Sequence, residues 1–130
     1  MDRAGGWSFM KRVNDIKRAQ KASQLMRVIC TLFSDATRDD TRLHGVMISR
    51  VELSPDKSTC YVFFYSPEGE EAFRTVLQYL VLYKPSLRAA ISKQIPSRYT
   101  PELIFKFDHA FAKAERVEAL LTQLKDKGEL

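Results

Sequence analysis

The sequence is short of the residues that would indicate a metal centre, a disulfide framework or a membrane span. Its 130 residues include only two cysteines and two histidines. Cys30 and Cys60 are isolated, with no Cys-x-x-Cys spacing, so we expect neither a zinc site nor a disulfide, and no cofactor. No apolar run reaches the roughly 18 residues of a spanning helix. These absences favour a cytoplasmic protein that does not associate with membranes.

The motifs of common catalytic sites are also missing. The chain has no Gly-x-Ser-x-Gly, no Walker loop and no Gly-x-Gly-x-x-Gly. Asp108 and His109 form a carboxylate–imidazole pair, but adjacent residues of a strand point to opposite faces. Asp39 and Asp40 lack further ligands at a spacing that would hold a cation. We therefore predict that the protein is not an enzyme.

What the chain does have is an excess of positive charge on the length of one domain. Lysine and arginine number 21 against 16 acidic residues, which gives a formal net charge of +5 and a pI near 9.3. Such a field favours polyanionic partners, although it does not determine the fold. The 45% hydrophobic content is that of an ordinary globular domain.

This positive charge falls in two blocks. Residues 1–34 carry a net charge of +5 and residues 84–106 carry +4, whereas the two remaining segments are net negative. Two ordinary solvated faces would explain the pattern. A phosphate-contacting surface where the blocks meet also explains it, and this is the interpretation that we prefer.

The first block contains two different apolar patterns. Phe9, Val13 and Ile16 share one face of a helical turn, but the apolar stripe that follows lies on another face. That stripe recurs at three- and four-residue steps and predicts a helix from about Arg18 to Ala36. We therefore expect residues 1–17 to form a separate basic N-terminal leader.

Three segments have the pattern of strands. Residues 45–53 and 58–65 are rich in β-branched and aromatic residues. The Ser-Pro-Asp-Lys sequence at 54–57 predicts a hairpin turn between them, with Pro at its second position. Residues 102–108 alternate apolar and polar side chains and form the third candidate.

The remaining segments predict helices. Ser66 is a suitable N-cap, and Pro67 suits the first position of a second helix. Pro85 cannot continue that helix, so residues 84–86 predict a break followed by a third helix. A last helix begins at about Phe111. The predicted order is α-β-β-α-α-β-α, with a three-stranded sheet covered on one face by helices.

The second strand carries a row of aromatic side chains, Tyr61, Phe63 and Tyr65, on one face. An exposed aromatic row is how an RNA recognition motif stacks bases. The glycine-containing pattern of that motif is absent, however, and the opposite face of the strand is also apolar. A strand covered by helices on one side and by the leader or tail on the other is the interpretation that we prefer.

Several short motifs, in order from about Arg18 to Leu124, resemble those of the ribosome-binding factor A family. Val51–Asp56 is similar to its Val-Glu-x-Ser-x-Asp hairpin, and Pro101–Asp108 to its Pro-x-Leu-x-Phe-x-x-Asp strand. Further similarities lie at Arg18–Lys21, at Asp40–Leu43 and at the Leu87-Arg88 pair.

The resemblance implies a fold, a function and a place of contact. The fold is an α+β, KH-like domain of type II at residues 18–110, followed by a C-terminal helix and tail at 111–130. The function is that of a non-catalytic, monomeric factor that binds the small (30S) ribosomal subunit and its 16S rRNA late in maturation, with most importance in the cold. In such domains phosphates pass over the junction of the second and third helices.

At this junction the sequence departs from the family. Tyr83-Lys84-Pro85 stands where Ala-x-Gly is usual, so a bulky ring is added and an N–H donor is lost. Side chains would then carry more of the phosphate binding. The RNA-binding candidates are Arg18, Lys21, Arg42, Lys84, Arg88, Lys93, Arg98 and Lys106. The alternative function is a protein-interaction or membrane-surface adaptor that uses the basic leader.

Overall fold

The computed structural model describes residues 3–128, with side chains from residue 9 onward, and the order of its elements confirms the predicted one. Two single turns of 3₁₀ helix, Thr41–Leu43 and Val81–Tyr83, follow the first and the second α-helix. The main elements are α1 (Arg3–Asp39), β1 (Met47–Leu53), β2 (Thr59–Tyr65), α2 (Glu70–Leu80), α3 (Lys84–Gln94), β3 (Glu102–Phe107) and α4 (His109–Asp126).

The three strands form one mixed sheet with β2 in the middle. β1 pairs antiparallel with β2, and β2 pairs parallel with β3. A parallel pair needs a crossover connection, and here α2 and α3 supply it. The register of β1 shifts between Ile48 and Arg50, where Ser49 forms a bulge. The parallel pairing brings the hairpin loop before β2 and the loop before β3 to the same end of the sheet, because Thr59 lies opposite Glu102.

The core lies between the sheet and the first three helices. Cys60, Val62 and Phe64 of β2 alternate with less buried residues and face the helices. Leu25 and Ile29 of α1 pack onto the same face and are fully buried. This arrangement confirms the predicted α+β, KH-like class, with a three-stranded sheet packed on helices.

The first helix is much longer than predicted. α1 is continuous from Arg3 to Asp39, so the expectation of a helix that begins at Arg18 after a distinct leader is wrong as a statement of secondary structure. No proline interrupts this stretch, and backbone hydrogen bonds form whichever face is apolar. The early apolar side chains project to a different face of the helix from the later stripe, and this difference affects their burial and not the helix itself. Phe9 and Ile16 are accordingly 59% and 58% exposed. A separate role for residues 1–17 stays a prediction.

The second helix begins later than predicted, at Glu70 instead of Ser66. The buried Ser66 heads a turn, in which its carbonyl accepts from Gly69 N–H (3.0 Å) and its hydroxyl accepts from Glu68 N–H (3.3 Å). Gly69 has a φ of +99°, a backbone conformation that glycine adopts readily but that does not occur within an α-helix. Pro67 therefore lies in the turn.

The predicted break between the second and third helices is confirmed. The 3₁₀ turn Val81–Tyr83 leads into α3, and Pro85 occupies the first turn of that helix, where its missing N–H costs no hydrogen bond. α4 begins at His109, two residues earlier than expected, and most of its side chains are exposed. Within residues 3–128, no helix is long and apolar enough to cross a membrane.

Candidate nucleic-acid interface

Three of the predicted RNA-binding residues meet at one end of the sheet. Lys21 of α1, Arg88 of α3 and Arg98 of the α3–β3 loop line a cleft of about 620 Å³. Lys21 Nζ donates to Ser97 Oγ at 2.8 Å, which ties α1 to the loop. We call this site the α3–β3 cleft. It contains residues of both basic blocks of the sequence.

Arg88 has a structural role within this cleft. Its Nε donates to the Pro101 carbonyl (3.3 Å) and its Nη2 to the Thr100 carbonyl (3.2 Å). These bonds fasten the loop to α3. A guanidinium has five N–H donors, so further donors remain for an anion. Arg88 therefore both shapes the cleft and adds charge to it.

Lys57, which sequence reasoning missed, completes the α3–β3 cleft. It occupies the hairpin turn with a φ of +62°, and its N–H donates to the Ser54 carbonyl at 2.9 Å. The turn itself was predicted from Pro55 and its neighbours. Its closeness to the α3–β3 loop depends on the parallel pairing of β2 with β3, which the sequence pattern does not reveal.

Asp56 belongs to the hairpin turn, as predicted. Its Oδ1 accepts hydrogen bonds from Ser54 Oγ (2.7 Å), Ser58 Oγ (2.8 Å) and Ser58 N–H (3.1 Å). These bonds lower the pKa of Asp56 to about 2, with the Ser54 hydroxyl contributing most. The lining of the cleft thus has four basic side chains against two carboxylates, those of Asp56 and Glu102.

An aromatic ring stands at the rim of the cleft. Tyr99 is 71% exposed, and the Arg98 guanidinium carbon lies 5.5 Å from the centroid of its ring. The neighbouring Ser97 Oγ donates to the Tyr99 carbonyl at 2.7 Å and so orders the backbone of the loop. A large aromatic side chain is thereby held beside positive charge and in contact with solvent.

The helix junction carries a second, smaller positive site. Lys84 Nζ lies 5.2 Å from the centroid of the Phe105 ring. Tyr83, whose bulk distinguishes the junction from the family pattern, turns back toward the core, and its hydroxyl donates to Asp40 Oδ2 at 2.7 Å. The ring therefore packs against the protein beside the 3₁₀ turn after α1.

Asp40 organises this contact. It accepts two hydrogen bonds from the Arg42 guanidinium, both at 2.8 Å, and one from Tyr83. These donors, Arg42 first, hold the pKa of Asp40 well below its usual range, and the Asp40 carboxylate in turn raises the pKa of Tyr83. Arg42 also stacks 4.7 Å from the Tyr79 ring centroid. Its charge is compensated, which weakens its case as a phosphate contact.

Replacing Asp40 with alanine should lower the pKa of Tyr83 toward the ordinary tyrosine value, because the bond to the neutral phenol is lost. The raised pKa means that this bond stabilises the wild type below about pH 10 and is lost as pH rises through the Tyr83 pKa. Ultraviolet titration of the tyrosines measures the change. Asp35→Ala, which removes only a pair with Arg38 on α1, is the control. An unchanged titration in Asp40→Ala would contradict the assignment.

The outer face of the sheet pairs cations with aromatic rings. Arg50 Cζ lies 4.0 Å from the centroid of the Phe63 ring, and Lys106 Nζ lies 4.7 Å from that of Tyr61. Tyr65 contacts Phe111 of α4, with ring centroids 4.7 Å apart. Among the described residues, the expectation that the leader or tail covers this face is confirmed at Tyr65, and the side chains of α4 from 113 to 123 are exposed. Two cationic side chains lie over the other rings.

The remaining candidates lie elsewhere, so the eight predicted residues do not form one surface. Arg18 pairs with Asp15 (3.4 Å) beside a groove of about 700 Å³ between α1 and β1. Lys93 is exposed on α3, and the α-helical period places it on the opposite side of that helix from Lys84.

The carboxylate–imidazole pair of the sequence does not act as a unit. Asp108 accepts hydrogen bonds from Ser49 Oγ (2.7 Å) and Arg50 Nε (2.9 Å), whereas His109 Nε2 lies 3.3 Å from Glu70 Oε2. Asp108 also caps α4, which confirms its predicted structural role. Among the residues described, no three His, Cys, Asp or Glu side chains are grouped so as to hold a metal ion.

The fold and this site define a class: a small KH-like α+β domain with a basic cleft at one end of its sheet. The family model for ribosome-binding factor A matches residues 17–121. A ribosome-binding factor A of Ruthia magnifica subsp. Calyptogena magnifica is 40% identical over 109 residues, covering 82% of this chain and 94% of the relative. One of Prochlorococcus marinus (strain AS9601) is 34% identical over 114 residues, covering 86% and 88%.

Solved structures agree with the sequence relatives. The crystal structure of ribosome-binding factor A from Thermus thermophilus has a TM-score of 0.59 to this chain at 27% identity, covering 69% of this chain and 93% of that chain. The chain belongs to the ribosome-binding factor A family, which confirms the resemblance seen in its short motifs.

Proposed function

We propose that this protein is a cytoplasmic, non-catalytic factor that binds the small (30S) ribosomal subunit through 16S rRNA during late maturation, with most importance at low temperature. The observation that carries the proposal is the family match over residues 17–121. The bound factor would hold the rRNA in an immature arrangement until it is displaced, and would act as a monomer.

The distribution of charge supports RNA as the direct partner. Lys84 stands at the helix junction, and the α3–β3 cleft gathers four cations. Phosphate contacts by such side chains supply most of the sequence-independent affinity for nucleic acid. We propose Arg18, Lys21, Arg42, Lys84, Arg88, Lys93, Arg98 and Lys106 as the phosphate contacts, with Arg42 and Arg18 contributing less because each is paired with a carboxylate.

Co-sedimentation with purified small subunits tests the proposal. Reversing Lys84 and Lys93 to glutamate should weaken binding at least about tenfold at moderate salt, since two phosphate contacts become repulsive. These two are chosen because neither side chain has a hydrogen-bond or ion-pair partner among residues 3–128, whereas reversing Arg88 would release the loop carbonyls. Binding of the wild type should fall steeply as salt is raised.

The matched control reverses Lys113 and Lys125 of α4, which changes the net charge equally on a helix outside the cleft and the junction. It should bind like the wild type. Salt-independent binding, or none to small subunits, would refute the proposal. If deleting residues 1–17 instead abolished all partner binding while the rest stayed folded, the adaptor alternative would replace it.

A further inference from the structure

We propose that the α3–β3 cleft holds one unpaired RNA nucleotide, with its phosphate against Lys57 and Arg98 and its base stacked on the Tyr99 ring. The inference rests on the proposed function, since it assumes an RNA partner. It adds a stacking site at the opposite end of α3 from the helix junction, with two residues, Lys57 and Tyr99, that the sequence did not indicate.

The cations of the cleft divide into two pairs. Lys21 and Arg88 are bound to the loop through Ser97 Oγ and the carbonyls of Thr100 and Pro101. Within residues 3–128, the side chains of Lys57 and Arg98 take part in no hydrogen bond or ion pair, although Arg98 lies beside the Tyr99 ring. The first pair therefore builds the cleft, and the second is available for an anion.

The carboxylates of the cleft do not cancel this charge. Asp56 directs one oxygen to two serine hydroxyls and a backbone N–H, so it is committed to the hairpin turn. Glu102 also lines the cleft, where its N–H donates to the Ser58 carbonyl at 2.9 Å, but among the described residues its carboxylate forms no ion pair with a cation of the cleft. Four cations against two carboxylates leave a site with net positive charge. Such a site suits a phosphate better than a protein surface that carries both acidic and basic side chains.

Tyr99 supplies the reason to expect a base and not a phosphate alone. A tyrosine exposed to 71% on a loop buries little apolar surface of its own, so packing does not explain its place. Aromatic side chains beside cations are the usual platform on which single-stranded bases stack, whereas both faces of a base inside a duplex are already stacked on its neighbours. The ring and the two available cations belong to one cleft.

The test uses the full chain and a dye-labelled single-stranded oligouridine of about ten nucleotides, which exceeds the roughly four nucleotides that a KH domain clamps. Tyr99→Ala should weaken binding roughly 5- to 100-fold, as loss of one stacked base does. Tyr99→Phe should retain the wild-type affinity, because the ring face and not the hydroxyl makes the contact. Photo-crosslinking with 5-bromouridine in the same oligonucleotide should label the peptide that contains Tyr99.

Salt titration separates the charge contribution from stacking. Lys57→Gly, which the φ of +62° accommodates, and Arg98→Ala should each reduce the slope of log affinity against log salt by about 0.7, whereas Tyr99→Ala should leave the slope unchanged. Lys113→Ala on α4 is the matched control and should alter neither quantity. Double-stranded RNA should not displace the oligouridine from the crosslinked site.

Unchanged affinity in Tyr99→Ala, equal losses in the alanine and phenylalanine variants, or displacement by polyglutamate regardless of Tyr99 would each overturn the proposal. These results are distinguishable from failure of the proposed function. Small subunits that bind the wild type, together with Tyr99-independent oligouridine binding, refute the stacking site alone. Tyr99-dependent oligouridine binding without subunit binding refutes the ribosomal function and leaves the nucleotide site in place.

Discussion

Replacing Phe64 with alanine should lower the free energy of unfolding by about 4 kcal/mol, the largest effect that we expect from a single substitution. Phe64 lies on the central strand and is 1% exposed. Its ring centroid is 5.6 Å from that of Phe33 on α1, 5.8 Å from Phe73 on α2 and 5.4 Å from Phe105 on β3. One side chain thus connects two helices and two strands, and its removal leaves a cavity that none of these elements can fill alone.

Urea unfolding followed by circular dichroism measures this loss. Phe63→Ala on the same strand is the control: it points to the outer face, where it is only half-buried beneath Arg50, so it should cost clearly less. Phe64→Leu should lower the free energy of unfolding by an amount between those of Phe63→Ala and Phe64→Ala, since leucine keeps most of the buried volume. Equal losses at positions 63 and 64 would contradict the assignment of the core face.

Replacing Asp108 with alanine should cost about 3 kcal/mol, because one buried carboxylate accepts hydrogen bonds from both α4 and β1. The residue is 2% exposed. Its Oδ1 caps α4 through Phe111 N–H (3.0 Å), and its Oδ2 holds Ser49 and Arg50 at the bulge of β1. Without it, the start of α4 and the edge of the sheet lose their common anchor.

Asp108→Asn should lose about half as much, since the amide oxygen can still cap the helix but carries no charge for Arg50. Asp126→Ala, at the exposed end of α4, should change little and is the matched control. A loss in Asp108→Ala no greater than in Asp126→Ala would show that the network contributes nothing to stability.

The same carboxylate should make stability depend on acid. Burial alone would raise the pKa of Asp108, but the hydrogen bonds from Phe111, Ser49 and Arg50 outweigh it and lower the pKa below its ordinary value. Its contribution is therefore complete above the unfolded pKa of about 4 and is lost as pH falls through the folded pKa. The difference in unfolding free energy between wild type and Asp108→Ala should be constant near neutrality and shrink below about pH 4.

Secondary structure was predictable where local chemistry decides it. The β-branched and aromatic residues at 59–65, the proline at the hairpin turn and Pro85 in the first turn of α3 each favour one backbone conformation without help from distant residues. The predicted start of the second helix was wrong, because two local features of the sequence favoured different start positions. Ser66 and Pro67 resemble a helix start, but the left-handed backbone at Gly69 moved that start to Glu70.

The sequence by itself determined the order of the elements and the two basic blocks, because these follow from side-chain period, backbone constraint and charge. Only the tertiary structure decided which cations meet. Lys21, Lys57, Arg88 and Arg98 come from four segments, and the parallel pairing of β2 with β3 brings their loops to one end of the sheet. Tyr83 likewise turns away from the junction because Asp40, 43 residues earlier, accepts a hydrogen bond from its hydroxyl. Contacts between distant segments depend on how the elements pack, and no local pattern records them.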